Sequence, residues 1–280
     1  MNLKNDSISA ITTLMVQNHI VSGKAGKHNF KLTAYTPKII RVQVSKYETF
    51  DEYPFSVVLK PENTPVTCVE NKEEISFHTD HIDLKIQRDP FRLSFFNKSG
   101  DLLNADDPGF GVSWLGEEVT NYKSLASDEV FLGMGEKGGG LNRRGSSFDN
   151  WNSDAFGFNN DTDPLYVSTP FFIGVREGKP YGIFLDNTYK SHFNFGTSNN
   201  ERFSYFSAEG GDLNYYFIQG NNVNEVIQEY TKLTGAMHMP PKWSLGFQQC
   251  RYSYYPDHEV YNIADTFREK QIPADVIYLD

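Results

Sequence analysis

Between residues 30 and 96 the chain repeats one pattern: short runs in which apolar and polar side chains alternate with period two, separated by turn chemistry. Residues 30–35 alternate, 39–44 follow a turn at Pro37, 74–78 precede 82–86, and 91–96 run into Asn97-Lys-Ser-Gly100 ahead of Leu102 and Leu103. Period two sends successive side chains to opposite faces, so each run offers one face to a core and one to water. Several such strands at close spacing need a partner sheet and predict a β-sandwich.

The pattern extends further along the chain. Residues 171–174 and 181–186 flank a Gly178-Lys-Pro180 turn, and 213–218 form another strand that leads into 224–233. There Val226, Ile227, Tyr230 and Leu233 are expected on one face of a short helix, with Asn224 as its cap and Gly235 as its stop. An aromatic content of 15%, with 22 Phe and 16 Tyr, suits strands and stacking surfaces. A length of 280 residues is ample for a core.

Past Pro240-Pro241 the period changes. An apolar run at 244–250, a polar aromatic loop at 251–255, an amphipathic stretch at 257–270 and a second apolar run ending in Asp280 make one βαβ unit of a parallel sheet. In an α/β barrel the C-terminal ends of strands face the active site, which is where Arg251, Tyr252, Tyr254 and Asp280 would then sit. Two strands cannot close a barrel, and a parallel pair normally has both faces covered by helices. The expected architecture is therefore mainly β, with a sandwich over residues 1–235 followed by the first strands and helix of an incomplete (β/α)8 barrel over 236–280. Either the chain is the first portion of a longer enzyme, or the tail folds back as an appendage.

The formal charge is −10 with the acids scattered, which argues against nucleic acid or an anionic membrane as partner, because phosphate neutralisation needs clustered Lys and Arg. Cys68 and Cys250 give no disulfide framework and no CxxC metal spacing. The N-terminus carries an acid before a mixed run at 8–16 without a small-residue cleavage site, and no stretch reaches membrane-spanning length. A cytoplasmic protein without a cofactor is expected, and a homo-oligomer remains open.

Residues 133–166 are the most polar and least strand-like part. They contain GxGxxG at 133–138, but a dinucleotide fingerprint opens a helix directly, and Arg143-Arg144-Gly-Ser-Ser147 follows instead. Asp161 and Asp163 lack the further oxygens of a calcium loop, which leaves a turn held by Asp and Asn side chains as the better reading. Trp151-Asn-Ser-Asp154 combines a ring with paired donors and acceptors, the combination that sugar recognition requires. The bland alternative is a Trp that plugs the edge of the sandwich beside surface acids.

The order Phe131-Leu-Gly-Met-Gly-Glu136, Leu141-Asn-Arg-Arg-Gly145, Trp151-Asn-Ser-Asp154, Asp163-Pro-Leu-Tyr166 and Pro170-Phe-Phe-Ile173 resembles the N-terminal, galactose-mutarotase-like sandwich of glycoside hydrolase family 31, the α-glucosidase family. Residues 241–254 and 272–280 resemble its first barrel strand and the run into its second, so the likeness extends from about residue 130 to the end. The resemblance implies exo-acting, retaining hydrolysis of α-linked glucosides or xylosides by two Asp residues that lie past Asp280. It implies that Asp154, on a loop reaching over the barrel mouth, binds the sugar beyond the scissile bond, and that Tyr254 lines the pocket for the sugar being cleaved. Asp280 matches the first acid of the family's Asp-Ile-Asp-Tyr-Met run.

Within the family, Gln249-Cys-Arg-Tyr252 resembles the α-glucosidases more than the α-xylosidases. Cys250 is expected as a small buried hydrophobe, and Arg251 either pairs with a barrel acid or touches sugar. A non-catalytic sugar-binding or interaction module using Trp151 and Asp154 is the alternative from another class. A mutarotase reading would need His192 and Glu209, which lie in no recognisable motif.

Overall fold

The alternating runs pair into antiparallel sheets. The computed structural model describes residues 5–51, 55–197 and 200–279, and the chain divides into two compact units, Met1–Gly235 and Ala236–Asp280. Among the described residues of the first unit, an eight-stranded sheet runs in the order Val130–Gly133, Phe171–Arg176, Lys179–Leu185, Leu213–Gln219, Ile39–Ser45, His28–Thr36, Ile20–Ala25, Ile11–Gln17. A six-stranded sheet has the order Asn5–Ser7, Val112–Leu115, Glu118–Ser124, Phe203–Ala208, Ser191–Asn194, Ser147–Asn150. Five strands between Thr67 and Ala105 make a meander.

The two smaller sheets pack on the eight-stranded one through aromatic side chains. Phe95 of the meander stacks on Phe217 at 4.0 Å, and Phe206 of the six-stranded sheet meets Tyr215 edge-on at 5.4 Å. Each fully buried Phe or Leu contributes roughly 1.5–3 kcal/mol by area, so this layer is the main source of cohesion. The turn at Asn97 forms as its residues dictate, with the Asn97 side-chain oxygen accepting from the Ser99 and Asp101 amides.

Helix α1, Val223–Thr234, packs on the outer face of the eight-stranded sheet over the strands Lys179–Leu185 and Leu213–Gln219. It starts two residues earlier than expected: the Asn222 side chain, and not that of Asn224, accepts from the Glu225 amide, while Gly235 donates to Thr231. Val226 and Leu233 are fully buried and Tyr230 stacks on Phe171 at 3.9 Å, but Ile227 is exposed. The buried stripe follows 226, 230 and 233, and position 227 lies about 100° round the helix from 226. The strand Ile39–Ser45 is buried on both sides, polar residues included, where alternation predicts one wet face; its Arg41 donates to Asn214 and lies over the Tyr216 ring.

In the second unit the strand Gln248–Gln249 pairs in parallel with Val276–Ile277, joined by helix α2, Asp257–Glu269. The βαβ order is as expected, but residues 242–245 wind into a 3-10 turn instead of extending the first strand. With only two residues in that strand, Cys250 falls past its end and is exposed, contrary to the buried position expected for it. No helix among the described residues is long and apolar enough to cross a membrane.

Candidate functional site

The glycine-rich segment turns its carbonyls inward. The Arg143 guanidinium donates to the carbonyls of Gly133, Lys137, Gly138 and Gly140 at 2.6–3.3 Å and lies over the Phe148 ring. A phosphate-binding loop presents N–H groups to its ligand and opens a helix. This one presents oxygens to a cation, and the strand Ser147–Asn150 follows.

That strand launches the loop 151–170, and three charged contacts fix where the loop leaves. Lys137, whose side chain is 1% exposed, donates to the Asp149 carbonyl and to the Asp163 carboxylate at 2.5 Å. The other Asp163 oxygen accepts from the Asp149 amide. Ser153 ties the two arms of the loop by donating to the Leu165 carbonyl at 3.0 Å. Asn159 receives the Asp161 amide, the side-chain-stabilised turn expected there, but Asp163 serves as the anchor and not as part of that turn. Among the described residues no cluster of three or more His, Cys, Asp or Glu is placed to hold a metal ion.

Asp149 itself accepts from Lys190 at 2.8 Å and from His192 at 2.6 Å. Burial pushes its carboxyl upward, but the hydrogen bonds from Lys190 and His192 outweigh this and hold it below the ordinary carboxylate range. A carboxyl whose folded value is depressed contributes stability above its unfolded value and loses it as pH falls through the folded one. The brace is therefore expected to stay intact down to about pH 4 and to loosen below it. The Trp151 contribution to fluorescence, taken as the difference from a Trp151→Phe variant, should change in that range, whereas in Asp149→Asn, which has no carboxyl to protonate, it should already be altered at neutral pH and stay level through that range. A Trp151 signal that moves only with global acid unfolding in both proteins would show that the brace does not govern the loop. His192 thus has Asp149 as its partner, while Glu209 is exposed, so the pair required by the mutarotase reading is not assembled.

At the root of the loop lies an open groove of about 410 Å³, lined among others by Asn150, Trp151, Asn152, Ser168 and Tyr189. Trp151 is 53% exposed and Tyr189 is 55% exposed, so the Trp does not plug the sandwich edge. Asn150 is 4% exposed, and neither its amide oxygen nor its nitrogen has a partner; the Ser168 hydroxyl is in the same state. Unpaired buried polar groups are costly, roughly 1–3 kcal/mol each, and a water or a ligand hydroxyl would satisfy them. Asp154 is exposed on the loop beyond the groove.

In the second unit, Arg251 and Tyr254 share a groove of about 390 Å³ with Gln249, whose amide donates to the Tyr254 hydroxyl at 2.8 Å. Asp280 lies outside the described residues. The pattern of the sequence did not single out Lys137, Asn150 or Tyr189. Lys137 sits in a glycine run that reads as flexible, and a lone Asn after a strand carries no signal of burial.

The profile described as the glycosyl hydrolase 31 N-terminal galactose mutarotase-like domain matches residues 29–194, and that of the glycosyl hydrolases family 31 TIM-barrel domain matches 237–280. Alpha-glucosidase 2 of Bacillus thermoamyloliquefaciens is 40% identical over 98% of the chain, which covers 35% of that protein. Alpha-xylosidase XylQ of Lactiplantibacillus pentosus is 30% identical over 91% of the chain, which covers 33% of it. The structure of a Flavobacterium johnsoniae GH31 dextranase complexed with glucose superposes with a TM-score of 0.90 at 35% identity, covering 98% of this chain and 34% of that one. The chain thus spans about a third of the length of these relatives.

Proposed function

Because the chain belongs to glycoside hydrolase family 31, we propose that it is the N-terminal part of a retaining, exo-acting α-glucosidase that removes terminal α-linked glucose from oligosaccharides. Its relatives include α-glucosidases, and the observation that carries the reading here is the groove. A half-exposed Trp151 stands beside the unpaired amide of Asn150, on a loop braced by Lys137 and Asp163. A pyranose presents a C–H face to the ring and hydroxyls to the amide. In this assignment Asp154 and Trp151 contact the sugar beyond the scissile bond, while Tyr254, Arg251 and Asp280 belong to the pocket for the terminal glucose.

Retention needs two carboxyl groups about 5–5.5 Å apart, one to attack the anomeric carbon and one to protonate the leaving oxygen. We assign both to strands that follow Asp280, contributed by the remainder of the barrel. The substrate is an α-glucoside oligosaccharide, and with both cysteines free a cytoplasmic location belongs to the same reading. The XylQ relative keeps α-xylosidase as the second reading.

The test is turnover by the full-length protein. Aryl α-glucoside should be cleaved much faster than aryl α-xyloside, and proton NMR at early times should show the α-anomer of glucose. Residues 1–280 alone should give no turnover. A β-anomer first product, a preference for xyloside, or activity in the purified 280-residue chain would each overturn the corresponding part of the assignment.

A further inference from the structure

The outer face of the six-stranded sheet carries a pattern that the loop site does not use. In the strand Glu118–Ser124, Val119, Asn121 and Lys123 point inward, so Thr120 and Tyr122 point out. Cross-strand partners share a face. Tyr122 is paired with Tyr205, and Thr120 with Ser113 on one side and Ser207 on the other. Ser113 is paired in turn with Ser7. Ser7, Ser113 and Thr120 therefore line up across the sheet beside the paired Tyr122 and Tyr205, while Ser207 at the end of the row is buried.

The rings form a continuous array. Tyr122 lies 5.2 Å from Phe110, 5.3 Å from Phe203 and 5.4 Å from Tyr205, and Arg202 lies over Phe110 and Phe203. Phe110 is 43% exposed. Ser113 and Thr120, which are cross-strand partners, lie on the same face as Tyr122. An open groove of about 460 Å³ runs along Ser7, Ser113, Thr120, Phe110, Tyr122 and Tyr205. Its charged lining is one cation and one anion: Arg92, already donating to the carbonyls of Phe91 and Asp107, and Glu118.

We propose that this face is a second carbohydrate-binding surface, separate from the loop groove, which takes a segment of a neutral glucan chain. Aromatic planes with aligned hydroxyls and nearly balanced charge fit a ligand that is neutral, hydroxyl-rich and apolar on its C–H faces. A phosphate-bearing ligand would need clustered cations, and a protein partner would favour a larger apolar core. That the sugar is an α-glucan rests on the function proposed above; the platform itself does not. Such a surface would hold the enzyme on a polymer while the exo site works at chain ends.

The test is affinity electrophoresis of the full-length protein through gels containing dextran or amylopectin, with hydrolysis of an aryl α-glucoside measured in parallel. One of the two polymers should retard the protein. Tyr122→Ser/Tyr205→Ser should weaken that retardation about tenfold and leave aryl α-glucoside turnover unchanged. Tyr122→Phe/Tyr205→Phe keeps the rings and should keep most of the retardation, and Asp154→Ala should be retarded like the parent.

Retardation by neither polymer, unchanged retardation of the double Ser variant, or equal loss in Asp154→Ala would overturn the proposal. So would a dimer in sedimentation velocity that the double Ser variant splits without any effect on glucan binding, since the face would then be a self-contact. Retardation that depends on the tyrosines in a protein without α-glucosidase activity would uphold the surface and sink the proposed function instead.

Discussion

An Asp106→Ala variant is expected to lose about 3–5 kcal/mol of folding stability, the cost of leaving a buried charge without its partner. Lys123 and Asp106 are paired at 2.8 Å with side chains each 1% exposed, between the six-stranded sheet and the aromatic layer. The same carboxylate accepts from Asn121 at 3.0 Å and from the Leu93 amide at 2.8 Å, so three donors lose their acceptor together. Lys123 keeps only the Tyr215 hydroxyl at 3.0 Å and the ring faces of Tyr215 and Phe95. Burial already pushes its ammonium downward from the ordinary lysine range, against the pull of Asp106.

The variant has a second signature. With the acid gone, the folded value of Lys123 drops further below the unfolded one, and between the two the unfolded chain binds more protons. Stability of Asp106→Ala should therefore rise with pH towards about 10, recovering part of the loss. Lys123→Met should cost less, about 1–3 kcal/mol, because Asp106 retains two donors. Urea titrations at several pH values decide the matter. A loss below about 1 kcal/mol, the worth of an exposed pair, would mean that the site is wetter than its burial implies.

Lys123 also shows where sequence pattern stops being informative. In Glu118–Ser124 the inward residues are Val, Asn and Lys and the outward ones include Tyr122, the reverse of what hydrophobic alternation predicts. Runs such as 74–78 and 82–86 were legible because tertiary structure did not contradict their pattern: Ile75, Phe77, Ile82, Leu84 and Ile86 are all buried. Residues 39–45 were legible as a strand but not as a central one, since the neighbouring strand Leu213–Gln219, whose Asn214 accepts from Arg41, lies 173 residues further along the chain. The βαβ order in the second unit was readable from its two apolar runs and the stretch between them, whereas the 3-10 turn at 242–245 was not, because local backbone winding leaves no period.

The loop site was half visible. Trp151 and Asp154 stood out as residue types suited to sugars, and resemblance supplied their roles. What gives the loop its shape, Lys137 reaching to Asp163 across 26 residues, carries no local signature. A single Lys among glycines looks solvated until the fold buries it. The GxGxxG match at 133–138 could be set aside from sequence because no helix pattern follows it, but the inward direction of its carbonyls, set by Arg143, left no sequence signal.

Asp154→Ala in the full-length protein is expected to lower kcat/KM for an α-linked disaccharide about 10–100-fold, the worth of a hydrogen bond to a charged group. The assignment puts this carboxylate against the sugar beyond the scissile bond, so an aryl α-glucoside, which has no sugar there, should lose little. Lys137→Met tests the same loop from behind. It removes the ammonium that holds Asp163 and the Asp149 carbonyl, leaving Asp154 chemically intact but loosely placed, and should cost the disaccharide about tenfold through ordering entropy. The two effects should not add: once Asp154 is gone, loosening its loop has little left to remove, and the double variant should resemble Asp154→Ala. Additive losses would mean that Lys137 acts on catalysis by another route. An equal loss on disaccharide and aryl glucoside would move Asp154 to the terminal sugar itself, and no loss on either would remove it from the site.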